Sequence, residues 1–236
     1  MTVGSTQNTT QEWYQEYFAK KGTDRNDPFN PGVLFQIFAV QKSVVEALRL
    51  LPVQRDKWKV LDVGCGSGTS LSHLVSLGFV PASLHGVDIQ EERIVAAKNR
   101  FPGISFKLGD ASRMDYASDS FDLVMETTMF IQLTDESLSQ TVANEMLRVL
   151  KPAGYVMLID WRYSYGRSEY KALSTHRIAK LFGVGSRTRT VCGTRGALVP
   201  PISRPVSSRV SSLYFAIART LPFLVGQVTT VLQRIR

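Results

Sequence analysis

A chain of 236 residues with 44% hydrophobic and 20% charged side chains is long enough to bury roughly 70% of its unfolded surface, which excludes a disordered segment and a scaffold dependent on metal or disulfides. Cys65 and Cys192 are its two cysteines; they lack metal-ligand spacing, so no metal is expected. Residues 1–17 are polar and acidic and carry no secretory signal, and the uncharged run 220–233 contains Pro222 and falls short of the ~20 apolar residues of a membrane span, so a cytoplasmic protein is expected.

The net charge of +8 is unevenly spread. Residues 161–236 hold thirteen Lys and Arg against one acid, Glu169, a net +12, and residues 1–160 are −4. Such asymmetry points either to an anionic partner for the basic part or to a solvated arginine-rich surface.

In chain order, 12–21 and 31–51 read as two helices separated by the turn-rich KGTDRNDPFN. From residue 59 onward, apolar runs alternate with helical patterns. Strands are expected at 59–63, 83–88, 104–108, 121–125 and 155–160, rich in Val, Ile, Leu and Phe as strands buried on both faces are. Helices are expected at 70–77, 90–101 and 135–150. In the last of these, Leu138, Val142, Met146 and Val149 stand at helical spacing behind an N-cap at Thr134 or Asp135. The alternation implies parallel βαβ units in a doubly wound α/β sheet. After Asp160 the pattern weakens. Ser174 is placed to cap a helix through Phe182, 189–192 reads as an edge strand, and 228–232 as a last strand. Val206, Val210, Leu213, Tyr214, Ile217 and Leu221 mark one amphipathic helix ending before Pro222. Three segments follow: an N-terminal helical lid (1–52), a ligand-binding core (53–160), and a basic part (161–236) that completes the sheet and the acceptor site.

The motif that carries chemistry is VLDVGCGSG, 60–68, an apolar strand entering three glycines spaced by two. Glycine is required where the chain turns sharply and a ligand lies against bare backbone. The third glycine comes one residue too early for the dinucleotide GxGxxG. Asp62 stands where a pyrophosphate would be repelled and a cationic tail attracted. Asp88, twenty residues beyond Gly68 at the end of the second strand, suits a carboxylate accepting both hydroxyls of a ribose. An adenosine with a positive tail and no phosphates fits these constraints, which is S-adenosylmethionine.

Residues 58–160 resemble the core of class I S-adenosylmethionine-dependent methyltransferases of small-molecule biosynthesis, in the segments VLDVGCGSG, HGVDI, LGDA, FDLVMET and LRVLKPAGYVMLID. The resemblance implies a Rossmann-like, mostly parallel seven-stranded sheet flanked by helices. It implies that Asp62, Gly64, Cys65, Gly66 and Gly68 hold the methionyl part and Asp88 the ribose. It also implies that Ile89 packs on adenine, that Gly109, Asp110 and Ala111 meet its edge, and that Glu126 and Thr127 line the transfer chamber. Asp110 has an alternative role as the cap of the following turn. Cys65 reads as a small filler, because an activated sulfonium requires no covalent nucleophile. His73 and His85 read as packing or surface residues.

Methyl transfer requires alignment of the acceptor and removal of a proton from a hydroxyl or amine. Candidates near the carboxyl ends of the strands are Glu126, Asp160, Trp161, Arg162, Tyr163 and Tyr165, with His176 as the base best tuned to neutral pH. The aromatic WYQEYF (13–18) reads as a lid or as a helix packed on the sheet edge. The leading function is O-methylation of a small molecule, glycan or glycolipid, with the acceptor anionic or lipid-linked and residues 204–236 expected to touch a membrane periphery. The layout outside the core resembles methyltransferases of bacterial surface-polysaccharide or glycolipid clusters. Alternatives are a nucleic-acid methyltransferase, against which METT stands where an NPPY-like tetrapeptide would, and a non-catalytic S-adenosylmethionine-binding module.

Overall fold

The computed structural model describes residues 27–164, 166 and 168–235. The expected helix at 12–21, the WYQEYF segment and Tyr165 lie outside them.

A seven-stranded sheet organises the chain, in the order β3-β2-β1-β4-β5-β7-β6. Its strands are β1 (Val60–Val63), β2 (Leu84–Asp88), β3 (Ser105–Leu108), β4 (Phe121–Thr127), β5 (Leu150–Trp161), β6 (Thr188–Arg195) and β7 (Gln227–Arg234). The first five pair in parallel, and β7 runs antiparallel between β5 and β6. This is the doubly wound sheet the alternating pattern implies. The order reverses between β1 and β4, and ligands of open α/β sheets lie beyond the carboxyl ends of the strands at such a switch.

The helices are α1 (Pro31–Leu48), α2 (Thr69–Ser76), α3 (Glu91–Arg100), α4 (Glu136–Val149), α5 (Thr175–Phe182), α6 (Pro200–Arg209) and α7 (Tyr214–Thr220). Asp135 caps α4, its Oδ1 accepting from the Ser137 and Leu138 amides at 2.7 and 3.3 Å. Ser174 caps α5, its Oγ accepting from the Arg177 amide at 3.2 Å. Two apolar layers cover the sheet. One packs Val142, Met146, Ile178 and Phe182 on Val63, Val124, Val156 and Leu158; the other packs Val44, Ala47, Leu71, Leu74, Ile94 and Ala97 on Val60, Leu84, Leu123 and Met157.

The C-terminal part departs from the sequence pattern in one respect. The single helix expected over 206–221 is broken into α6 and α7, joined by a 3-10 turn at Ser211–Leu213. The break falls at Val210, whose backbone leaves the helical region at φ −139°, ψ 50°. Tertiary contacts oppose a continuous rod. Ser207 Oγ donates to the Pro31 carbonyl and accepts from the Phe35 amide at 3.2 Å, tying α6 to the start of α1. Tyr214 is fully buried and its hydroxyl accepts from the Leu198 amide at 3.1 Å. It anchors a third apolar cluster with Ala39, Leu198, Ala218 and Val225. The connection 196–226 between β6 and β7 thus folds back over α1. It leaves β6 at Arg195, which pairs with Val228, while Gln227 pairs with Trp161, so this insert stands at the carboxyl end of β5.

Candidate donor and acceptor site

The loop after β1 is shaped by its glycines. Gly64, Gly66 and Gly68 all have left-handed φ, at +71°, +52° and +80°, a region where a side chain is strained. The constraint is tightest at Gly68, where a Cβ would stand 2.6 Å from the Phe106 ring. At Gly66 the neighbour is the tip of the flexible Arg93 side chain, 3.0 Å away. Gly68→Ala is therefore expected to cost about 2–4 kcal/mol, from the left-handed strain and the overpacked ring together. A urea midpoint unchanged from wild type would refute this account of the loop.

Asp88 holds the loop directly. Its Oδ2 accepts from the Gly66 amide at 2.8 Å and its Oδ1 from the Gln90 amide at 2.9 Å. Gly64 and Cys65 donate to the Val87 carbonyl at 2.8 and 3.0 Å, fixing the β1 loop against the end of β2. Cys65 fills space: a Cβ on Gly86 would stand 2.7 Å from its sulfur. Burial pushes its thiol far above the ordinary value, with the Asp62 and Asp88 charges adding to the shift, so it is no nucleophile.

Asp62 is 1% exposed, and both its carboxylate oxygens lack a protein partner. Burial, and then the Asp88 charge, raise its carboxyl well above the usual range. A buried carboxylate without partners is costly, and a cationic ligand group beside it would supply the missing charge and donors.

Across the switch point, Thr127 accepts from Ser70 Oγ at 3.1 Å, linking the end of β4 to the first turn of α2. Thr128 follows with φ +58°. Met129 then lies over the glycine loop, its sulfur 3.0 Å from where a Gly64 Cβ would be. Glu126 and Asp160 pin this segment from beneath. Glu126 Oε2 accepts from the Met129 amide at 2.9 Å, and its Oε1 has no protein partner. Asp160 accepts from the Ile131 amide at 2.8 Å and from the Trp161 amide at 2.7 Å. Burial raises Glu126 well above its ordinary value, with the Asp160 charge adding to it. Burial likewise pushes Asp160 up to about 7, although backbone amides pull the other way.

An acid whose pKa is higher folded than unfolded binds more protons in the native state, so stability falls as pH rises between the two values. Asp160 should therefore cost stability progressively from its ordinary 3.8 to about 7, with no further loss above. Denaturation midpoints that rose with pH across this window, or an Asp160→Asn variant keeping the wild-type slope, would contradict this.

The other expected residues are placed as follows. Asp110 Oδ1 accepts from the Ser112 amide at 2.8 Å, the turn-capping arrangement. Gly109 donates to the Asp88 carbonyl at 3.0 Å, which sets the 109–111 segment beside the end of β2. Ile89 and Ala111 are half-buried. His85 packs edge-on to Phe121 and Tyr116, and burial and nearby lysines push it down to about 4. His176 is exposed on the first turn of α5. Its neighbour Arg177 is the residue the sequence did not single out. It is 6% exposed and donates to the Phe130, Lys171 and Leu133 carbonyls, to Ser139 Oγ and to Glu136, bracing the segment that closes over the glycine loop. Its one sequence signal is a basic side chain three residues beyond a Ser N-cap, on the apolar face of α5.

A family model described as a methyltransferase domain matches residues 54–187. The chain belongs to that family. Among curated proteins, phthiotriol/phenolphthiotriol dimycocerosates methyltransferase 1 of Mycobacterium ulcerans is 34% identical over 116 residues, 48% of this chain and 41% of that protein. Demethylmenaquinone methyltransferase of Renibacterium salmoninarum is 32% identical over 123 residues, 52% of this chain and 48% of that protein. This chain thus spans less than half the length of these relatives. Among solved structures, geranyl diphosphate C-methyltransferase of Streptomyces coelicolor superposes with TM-score 0.60 over 82% of this chain and 76% of that one, at 15% identity, a likeness of fold. The family is that of S-adenosylmethionine-dependent methyltransferases, and the site fits the donor. Asp62 offers two unpartnered buried oxygens to a cation, Gly64 and Gly66 form the left-handed turn that follows β1, and Asp88 stands at the end of β2.

Proposed function

We propose that the protein transfers a methyl group from S-adenosylmethionine to a small, largely apolar or lipid-like acceptor carrying an anionic group, at a hydroxyl oxygen. The observation that carries the donor half is the pair of unpartnered Asp62 oxygens beneath three left-handed glycines. The bound donor supplies an activated methyl on a sulfonium. The chain's own contribution is to hold and align. Asp62 would balance the donor's positive tail, and Gly64, Gly66 and Gly68 would admit it against the backbone. Asp88 would accept from the ribose through the lone pairs its two backbone bonds leave over, with Ile89 and the 109–111 segment bordering the base.

Acceptor chemistry is assigned to the carboxyl ends of β4 and β5. A hydroxyl acceptor must lose a proton, and a base near neutrality serves best. Asp160, pushed up to about 7, combines that value with a place at the acceptor end. Glu126, coupled to it by charge, positions the Met129 amide. The exposed His176 is the weaker assignment. The acceptor class rests on the apolar and basic insert 196–226 at this end of the sheet, and the relatives named for lipid and quinone substrates are consistent with it. No helix among the described residues is long and apolar enough to cross a membrane.

The test is transfer of labelled methyl into lipid and aqueous extracts, with and without nuclease, followed by acid and base lysis of the product to identify an ether or ester linkage. Label confined to nuclease-sensitive material would replace this reading with the nucleic-acid alternative. Tight S-adenosylhomocysteine binding with no transfer into any extract would favour a binding module.

A further inference from the structure

The insert 196–226 carries three arginines and no acidic residue, and it leaves large apolar side chains in water. Leu213 is 50% and Phe223 62% exposed, and Val210, Phe215 and Leu221 are exposed as well. They lie on or beside the short helices α6 and α7 and the 3-10 turns that flank α7. Phe215 stands 6.0 Å from Phe35, whose ring in turn meets the exposed Phe38 at 5.9 Å, so the apolar surface runs on from α7 to α1. At the other end, Tyr163 donates to the Phe223 carbonyl at 3.3 Å and Arg162 to the Pro222 carbonyl. Solvent-exposed Arg204 and Arg209 line a shallow, wide-mouthed surface cavity of about 370 Å³ with Ser208, Asn30 and Gly32 at the start of α1.

Apolar side chains with arginines interspersed and acids absent match the interfacial layer of an anionic bilayer, where rings and aliphatic tips enter the acyl boundary and cations meet phosphates. We propose that the insert 196–226 is the face by which the protein docks on an anionic membrane. Leu213, Phe215 and Phe223 enter the interface, and Arg204 and Arg209 hold lipid headgroup phosphates at the cavity. This deepens the proposed acceptor reading and rests on it for its purpose: a lipid acceptor would be taken from the layer on which the insert sits, at the end of the sheet where Asp160 stands. It also narrows the membrane contact expected over 204–236. Strand β7 lies between β5 and β6 with Gln227, Thr229, Val231 and Leu232 buried, so among the described residues of that stretch the exposed apolar side chains lie mainly in the helical part before it, Ile235 excepted.

The experiment is sedimentation of the full chain with phosphatidylcholine vesicles, with and without phosphatidylglycerol. The wild type is expected to bind the phosphatidylglycerol vesicles, to release them as salt rises, and to leave phosphatidylcholine vesicles unbound. Removing an arginine from an anionic surface costs roughly fivefold in partitioning, so Arg204→Gln with Arg209→Gln should weaken binding about thirtyfold. Leu213→Ser with Phe223→Ser should weaken it at least tenfold; these side chains are exposed, and unchanged thermal midpoints would confirm folding. Binding equal on both vesicle types, no binding to either, or binding unaffected by both variant pairs overturns the docking face. S-adenosylhomocysteine affinity measured on the same preparations separates this from the function itself. Vesicle binding lost with donor binding intact concerns the insert alone, and donor binding absent from the wild type overturns the proposed reaction.

Discussion

Asp88→Ala is expected to lower affinity for S-adenosylhomocysteine by at least a hundredfold while the sheet survives. The substitution removes more than a ligand contact. The Gly66 and Gln90 amides both donate to this carboxylate, and hydrogen bonds to a charged partner are worth roughly 1.5–3 kcal/mol each. Without them the glycine loop loses its anchor to β2, and the pocket has to be reordered before it can accept a ribose. Asp88→Asn keeps the shape but turns one acceptor into a donor that faces an amide, so it should recover only part of the affinity. Calorimetric titration reads both variants. An Asp88→Ala protein with wild-type affinity and wild-type melting would remove Asp88 from the donor site and from the loop.

Arg177→Ala is expected to have the largest effect on stability. A buried guanidinium that satisfies the Phe130, Leu133 and Lys171 carbonyls cannot be removed without leaving those oxygens unpaired in the interior. Breaking a buried charged network of this kind costs about 3–5 kcal/mol, which for a chain of this size lowers the melting temperature by roughly 6–15 °C. Lysine should rescue little, because one ammonium cannot reach the five backbone and side-chain acceptors that the planar fork spans. The segment 128–133, which carries Met129 over Gly64, should loosen with it, so donor affinity falls more than the stability loss alone explains. A melting temperature within about 1 °C of wild type would show that Arg177 braces nothing.

The turn after β1 was legible in the sequence because it depends on backbone conformation, and positive φ is written in glycine. VLDVGCGSG announces a strand, a turn with positive φ and a helix start, and the spacing of Asp62 and Asp88 along a period-two strand fixes which ends they occupy. The strands β1, β4 and β5 were legible for a related reason: parallel strands buried on both faces are largely apolar; β3 is an exception, an edge strand of which only Phe106 is buried. Two details needed the structure. Asp88 accepts from the chain's own Gly66 and Gln90 amides and so anchors the glycine loop. The tightest packing in the loop falls on Gly68, because Phe106, 38 residues away in sequence, stands against it.

The far side of the switch point, at the ends of β4 and β5, was decided by tertiary structure. Nothing in the order of residues brings Asp160 to the Ile131 amide, sets Glu126 beside it, or buries Arg177 while His176 one position away stays in water. The two carboxylates meet because β4 pairs with β5, and Arg177 is buried because α5 docks against α4, a contact between segments some forty residues apart. The same holds for the C-terminal insert. Its apolar periodicity matched one long helix, but Ser207 bonds to the start of α1 and Tyr214 enters a separate core, and those contacts outweigh the continuity of a helix exposed on one side. The sequence by itself determined the sheet, the turn and the donor, since these follow from local conformational preference and strand burial. Which carboxylates share a charge, which arginine is buried and which apolar side chains are left in water arose only on packing, because desolvation and long-range hydrogen bonding have no local signature.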